Sequence, residues 1–173
     1  KSFSFWFKLD ADSGTDQYFF QFTDNSGNAS MSLWFDGSMN RIKFQANENT
    51  TANMMRTETA ALSAVLSQFV GNWAFFMVTW NGNLSTKAQM FLNGVELLTL
   101  LTVSAVSTTV KNGQKLTLLD NMSSSGLNEL QGAMMDFTTW NTGLVLADAV
   151  AMYNGGVRVN PNDLPSRSNM VKK

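Results

Sequence analysis

The chain has 173 residues, a net charge of −1 from 12 Lys and Arg against 13 Asp and Glu, and neither Cys nor His. A chain of this length fits one domain that buries about 70% of its unfolded surface, and without Cys or His it can hold no disulfide, CxxC pair, thiolate metal site or His-containing catalytic triad. Charged residues make up only 14%, well below the usual share, and no basic footprint exists for neutralising phosphates, so nucleic acid is not an expected partner.

Asn, Ser and Thr supply 51 of the residues. That palette is common in secreted, cell-surface and virion β-proteins, and an extracellular, cell-surface or virion location is expected. Lys1 leads straight into a strand pattern with no basic region followed by an apolar stretch, which reads as a mature domain or a piece of a longer protein. No membrane insertion is expected: the uncharged stretch Thr59–Thr86 contains Gln68, Gly71, Asn72, Asn81 and Asn83. No apolar run long enough to span a bilayer survives inside it.

In chain order, alternation with period two dominates. Ser2–Leu9 places Phe3, Phe5, Phe7 and Leu9 on one face and Ser4, Trp6 and Lys8 on the other. Strand patterns follow at Gln17–Thr23, Met31–Asp36 and Arg41–Ala46. Thr59–Gln68 fits either a short helix or a loop. Trp73–Trp80 is apolar on both faces, the mark of a central strand. Ala88–Leu92 and Val95–Leu100 flank Asn93-Gly94, whose residues suit the two positive φ angles of a type I′ hairpin turn. Lys115–Leu119 and Leu130–Trp140 read as the last strands. Leu146, Ala149, Val150 and Tyr153 then fall at helical spacing, with Gly155 as a stop. The expected fold is all-β: a two-sheet antiparallel sandwich or jelly roll with one short C-terminal helix, over residues 1–159. Residues 160–173, with Pro161 and Pro165, read as a tail or linker.

Three segments resemble motifs of the concanavalin A-like lectin/glucanase superfamily in its laminin-G and pentraxin branch. They are Gly71–Gly82 (a Trp, then Val-Thr-Trp, then Gly), Ala88–Val95 (an aromatic strand ending in Asn-Gly), and Leu130–Trp140 followed by Leu146–Gly156. The resemblance covers roughly Phe3–Val159 and places Trp73, Trp80 and Trp140 in the core. It implies a concanavalin A-like jelly roll, a fold that hosts lectins, hydrolases and adhesive modules alike.

The same resemblance implies a calcium site. At the places where pentraxins hold their ion stand Asp24, Asn25, Asp120, Asn121 and Asn128, all oxygen donors but only two of them carboxylates, where calcium takes six to eight oxygens. The loop Asp10–Asp16 has a D-x-D-x-G-x-D form with no later bidentate Glu, and reads as an Asx-rich turn. Four N-x-S/T sequons, at Asn28, Asn49, Asn83 and Asn121, are at the level chance gives in so Asn- and Ser-rich a chain.

Catalysis is not expected. Superfamily members that hydrolyse β-glucans use two Glu flanking an Asp on one strand, and Glu129, Gln131 and Asp136 do not reproduce that spacing. Sugar binding needs aromatic faces beside amides and carboxylates. Trp6 shares its face with Ser4 and Lys8, and Trp34 shares its face with Ser32 and Asp36, so Trp6, Trp34 and Asp36 are the candidate ligand residues, weighed against simple packing of each Trp under a loop. The expected function is a non-catalytic, lectin-like recognition module for a glycan or protein surface. The alternative is a structural or adhesive domain of a larger assembly, with neighbouring subunits or domains as partners; a glycoside hydrolase is a remote third.

Overall fold

A computed structural model describes residues 1–11, 14–24, 26–47, 54–62, 69–82, 85–103, 115–119, 129–164 and 170. Among them are eleven strands: β1 Ser2–Leu9, β2 Gln17–Thr23, β3 Ala29–Asp36, β4 Arg41–Asn47, β5 Met54–Thr59, β6 Ala74–Thr79, β7 Gln89–Leu92, β8 Val95–Glu96, β9 Thr99–Val103, β10 Lys115–Leu118 and β11 Gly132–Trp140. One helix, α1, covers Leu146–Tyr153. The strands form a five-stranded sheet in the order β11-β1-β6-β7-β8 and a six-stranded sheet in the order β10-β2-β3-β4-β5-β9. All these pairings are antiparallel. This is the expected two-sheet sandwich. Of the undecided stretch Thr59–Gln68, Thr59 ends β5 and residues 63–68 lie outside the described residues.

The alternation in β1 decides the packing. Phe3, Phe5, Phe7 and Leu9 point between the sheets and meet Phe19, Phe20, Leu33, Phe35, Ile42 and Phe44 from the six-stranded side. β6 is buried on both faces, as its uninterrupted apolar run demands: Phe76 and Val78 join the central core, while Phe75 and Met77 face outward into a second one.

That second core makes the molecule three-layered. On the outside of the five-stranded sheet, α1 and the segment after it cover Trp6, Phe75, Met77, Phe91 and Trp140. Trp140 donates its indole N–H to Ser4 Oγ at 3.0 Å, and Ser2 Oγ accepts the Leu144 amide at 2.8 Å, so the polar atoms beneath the helix are paired. The buried side of α1 is Ala149 and Met152, with Tyr153 partly covered; Leu146 and Val150 are exposed. The helix is where the spacing predicts it, but turned so that only part of the expected stripe faces inward. The cause is the hairpin Asn93-Gly94, with φ of 51° and 76°. A Cβ on Gly94 would lie 3.3 Å from both the Val150 Cα and the Tyr153 ring, so helix backbone rests directly on the turn.

Three further expectations change. The strand expected over Val95–Leu100 divides: β8 ends the five-stranded sheet, and the chain crosses to pair as β9 with β5 in the other sheet. Trp73, expected in the core, is 41% exposed, with Lys8 Nζ 5.9 Å from its ring centroid. Part of the segment read as a tail packs on the domain, since Leu164 is buried in the second core and Met170 bridges to Trp140.

Candidate functional site

The outer face of the six-stranded sheet follows from the same alternation. With Met31, Leu33 and Phe35 inward, β3 turns Ser30, Ser32, Trp34 and Asp36 outward, and β4 turns out Arg41, Lys43, Gln45 and Asn47. Register sets these side chains in cross-strand rows. Tyr18, Trp34, Lys43 and Glu58 occupy one row, and Thr117, Gln21, Ser32, Gln45 and Arg56 the next. No aliphatic side chain interrupts either row over these strands.

The rows are knitted together. Tyr18 stacks on Trp34 at 5.6 Å between centroids and 12° between planes. The Arg56 guanidinium lies 5.6 Å from the Trp34 centroid and donates to Gln45 Oε1 through Nε at 3.1 Å and Nη2 at 2.7 Å. Gln45 Nε2 donates in turn to Asn47 Oδ1 at 3.0 Å, and Gln21 Nε2 to Ser32 Oγ at 3.2 Å. Tyr18, Gln45, Arg56 and Thr117 are half-buried and Thr102 is exposed, so amide, guanidinium, hydroxyl and aromatic atoms all reach the surface of this face. An aromatic–guanidinium stack of this kind is worth about 0.5–2 kcal/mol and holds both groups in one orientation.

At one end of the rows lies a charged knot. Lys43 Nζ donates to Asp36 Oδ2 at 2.5 Å and lies 3.7 Å from Glu58 Oε1, while Arg41 Nη1 donates to Glu58 Oε2 at 3.1 Å. The side chains of Lys43, Asp36 and Glu58 are each 9% exposed. Burial alone would push the Asp36 carboxyl up; the hydrogen bonds from Lys43, Ser38 and the Met39 amide, with the Lys43 charge, outweigh it and hold it below the ordinary aspartate value.

Asp16 responds oppositely. Desolvation and the nearby Asp36 charge raise its pKa, against smaller opposing effects from Lys43 and the Gly37 amide. Because the folded value lies above the unfolded one, Asp16 costs the native state stability at neutral pH, and that cost vanishes as pH falls below the unfolded value. Asp16→Asn should therefore raise Tm at pH 7 and leave it unchanged at pH values well below that of an ordinary aspartate. Thermal melts of both proteins across pH measure this; a gain that persists in acid would contradict it.

Of the residues singled out from sequence, Trp34 and Asp36 come together on this face, with Trp34 as the 7% exposed floor beneath Tyr18 and Arg56 rather than an open platform. Trp6 is elsewhere: it packs on Phe75 and Tyr153 under α1 at 4% exposure and offers no ligand a ring face. Gln45, Arg56 and Tyr18 were missed. Their signal was their place at polar positions of alternating strands, which becomes a site only once the strand order is known.

Of the five residues of the calcium constellation, only Asp24 lies among the described residues. Asp24 Oδ1 accepts the amides of Ser26 at 2.9 Å and Asn28 at 2.8 Å, and both its oxygens accept from the Asn28 side chain. This is an Asx turn closed on itself. Asn25, Asp120, Asn121 and Asn128 lie outside the described residues. Among the described residues no group of three acidic side chains is placed to hold a metal.

A sequence profile described as the concanavalin A-like lectin/glucanases superfamily, in one of its laminin-G families, matches residues 1–149. No curated protein matches the chain by sequence. Among solved structures, the chain is similar to the receptor binding domain of botulinum neurotoxin mosaic serotype C/D, with 16% identity over 89% of this chain and 36% of that one and a TM-score of 0.63. It is also similar to the botulinum neurotoxin serotype C1 binding domain, with 17% identity over 89% and 36% of the two chains and a TM-score of 0.62. The serotype D/C binding domain gives 16% identity, the same coverage and a TM-score of 0.61. The chain spans just over a third of the length of these structures, and at such identity the likeness is one of fold. The central core, the strand order and the profile match agree: this chain belongs to the laminin-G branch of the concanavalin A-like lectin/glucanases superfamily.

Proposed function

We propose that the domain is a non-catalytic recognition module that binds a glycan across the outer face of the six-stranded sheet, at a cell surface, on a virion or in the extracellular space. The observation that supports it is the knitted Tyr18–Trp34–Arg56–Gln45 array. A pyranose presents C–H patches and hydroxyls together, and this face offers a partly open aromatic beside amide and guanidinium donors already fixed in place. The solved structures of similar fold are themselves named receptor-binding or binding domains.

The charged knot argues against hydrolysis. A glycosidase needs one carboxyl protonated near neutrality and another free to reach the sugar. Asp16 and Asp36 do titrate apart, but Asp36 is buried, with Oδ1 held by Ser38 and the Met39 amide and Oδ2 by Lys43. Glu58 is occupied by Arg41 and Thr102.

A glycan array with the wild type and Arg56→Ala, each with calcium and with chelator, tests the reading. Wild type should bind in both lanes, and Arg56→Ala should lose about tenfold in affinity, roughly 1.4 kcal/mol. Binding lost in chelator would instead assign a calcium role to the loops of Asn25, Asp120, Asn121 and Asn128. A folded protein silent on every glycan would overturn the lectin reading.

The assembly-domain reading has its own support. Val95, Leu146 and Val150 are exposed where α1 rests on the hairpin, an apolar surface suited to a neighbouring subunit or domain.

A further inference from the structure

Three side chains of the charged knot are arranged for chemistry with one another. Lys43 Nζ is 2.5 Å from Asp36 Oδ2, which places the Asp36 carbonyl carbon one bond further away. Both side chains extend from neighbouring strands on the same sheet face and are held by the hairpin between them. Asp36 Oδ1 accepts the Ser38 hydroxyl at 2.7 Å and the Met39 amide at 3.0 Å, two donors at the oxygen on which charge would develop during attack at that carbon. Glu58 Oε1, which also accepts from the Thr102 hydroxyl at 3.3 Å, lies 3.7 Å from Nζ on the side of β5, an ion-pair contact that must close by a few tenths of an ångström to relay a proton. All three side chains are largely shielded from water.

We propose that Lys43 and Asp36 condense within the folded domain to an isopeptide bond, with Glu58 as the proton relay. Nζ first passes one proton along its short hydrogen bond to Asp36 Oδ2, giving a neutral amine and a neutral carboxyl. The amine lone pair attacks the carbonyl carbon, and the π pair moves to Oδ1 under the Ser38 and Met39 donors. Glu58 takes a proton from the new ammonium centre and delivers it to Oδ2, which leaves as water with the C–O bonding pair. The C=O at Oδ1 re-forms. In sum, one ammonium and one carboxylate become one secondary amide and one water, with no oxidant or outside reagent.

Two features favour the product. Holding the groups in contact converts a bimolecular condensation into an intramolecular one. The bond also removes two poorly solvated charges, and the remaining Glu58 keeps its partner Arg41 at 3.1 Å. The repulsion that Asp36 exerts on Asp16 disappears with them.

Intact mass under denaturing conditions, after the purified chain has stood folded at neutral pH, tests this. The expected main species is lighter than the sequence mass by one water, and tandem spectra join residues 36 and 43 in a branched fragment. Lys43→Arg and Glu58→Gln should both retain the full mass. The full sequence mass in the wild type would overturn the proposal whatever the variants do. So would a water loss that survives in Lys43→Arg with Lys43 of the wild type still open to acetylation, since Asp36-Gly37 can lose water by closing an imide on its own backbone.

Discussion

Phe5→Ala should cost the domain about 3–5 kcal/mol, the range for deleting a fully buried aromatic side chain. Phe5 is fully buried at the centre of the sandwich, and its ring lies 5.4–6.5 Å from those of Phe7, Phe19, Phe20, Phe76 and Phe137. These partners come from four strands in both sheets, so no single neighbour can move in to fill the void. In a domain of this size the loss corresponds to a fall in Tm of roughly 10 °C. Phe5→Leu keeps most of the volume and should lose less than half as much. Denaturant unfolding followed by tryptophan fluorescence reads both; equal, small losses would mean that the inter-sheet core is not the main source of stability.

Gly132→Ala should be as damaging although it adds only a methyl group. A Cβ at position 132 would sit 2.0 Å from the Lys8 carbonyl oxygen and 3.1 Å from the Leu9 Cα. Those atoms are backbone of β1, the neighbouring strand, and cannot rotate away as a side chain would. Gly132 pairs with Leu9 where β11 begins, so the strain can be relieved only by opening the β1–β11 ladder from that end. Overpacking usually costs 1–3 kcal/mol; with no yielding side chain, about 3 kcal/mol or more is expected. Gly143→Ala is the control, since its Cβ would meet only Thr79 Oγ1, at 3.4 Å. Comparable melting of the two variants would contradict the argument.

Strands were legible wherever one face is apolar and the other polar, because a period of two admits only one pleat orientation. β1, β3 and β4 are in this class, and so is β2 apart from the bulge that turns both Phe19 and Phe20 inward. So is the hairpin at Asn93-Gly94, whose backbone angles local chemistry dictates. What the alternation could not say is what lies against the polar side. Trp6 and Trp34 occupy equivalent positions in their strands, yet α1 covers the first and Tyr18 and Arg56 flank the second. That difference comes from a helix about 140 residues away in sequence. The exposure of Leu146 and Val150 has a similar origin, since a short amphipathic segment rotates to suit the turn it rests on. The division of Val95–Leu100 between two sheets was equally hidden, because the apolar pattern runs through the crossing without a break. Tyr18, Gln45 and Arg56 come from three strands and meet only through register, so their grouping is a property of strand order.

The most direct measurement is to map binding onto the domain by NMR, adding a glycan selected on an array to isotopically labelled protein. Shifts are expected to concentrate on Tyr18, Gln45, Arg56 and Thr102, including the Gln45 amide and Arg56 guanidinium resonances, with little change at Trp6 beneath α1. Shifts clustered instead around Trp73 and Lys8, or along the exposed Val95, Leu146 and Val150 surface, with the six-stranded sheet silent, would contradict the proposed site.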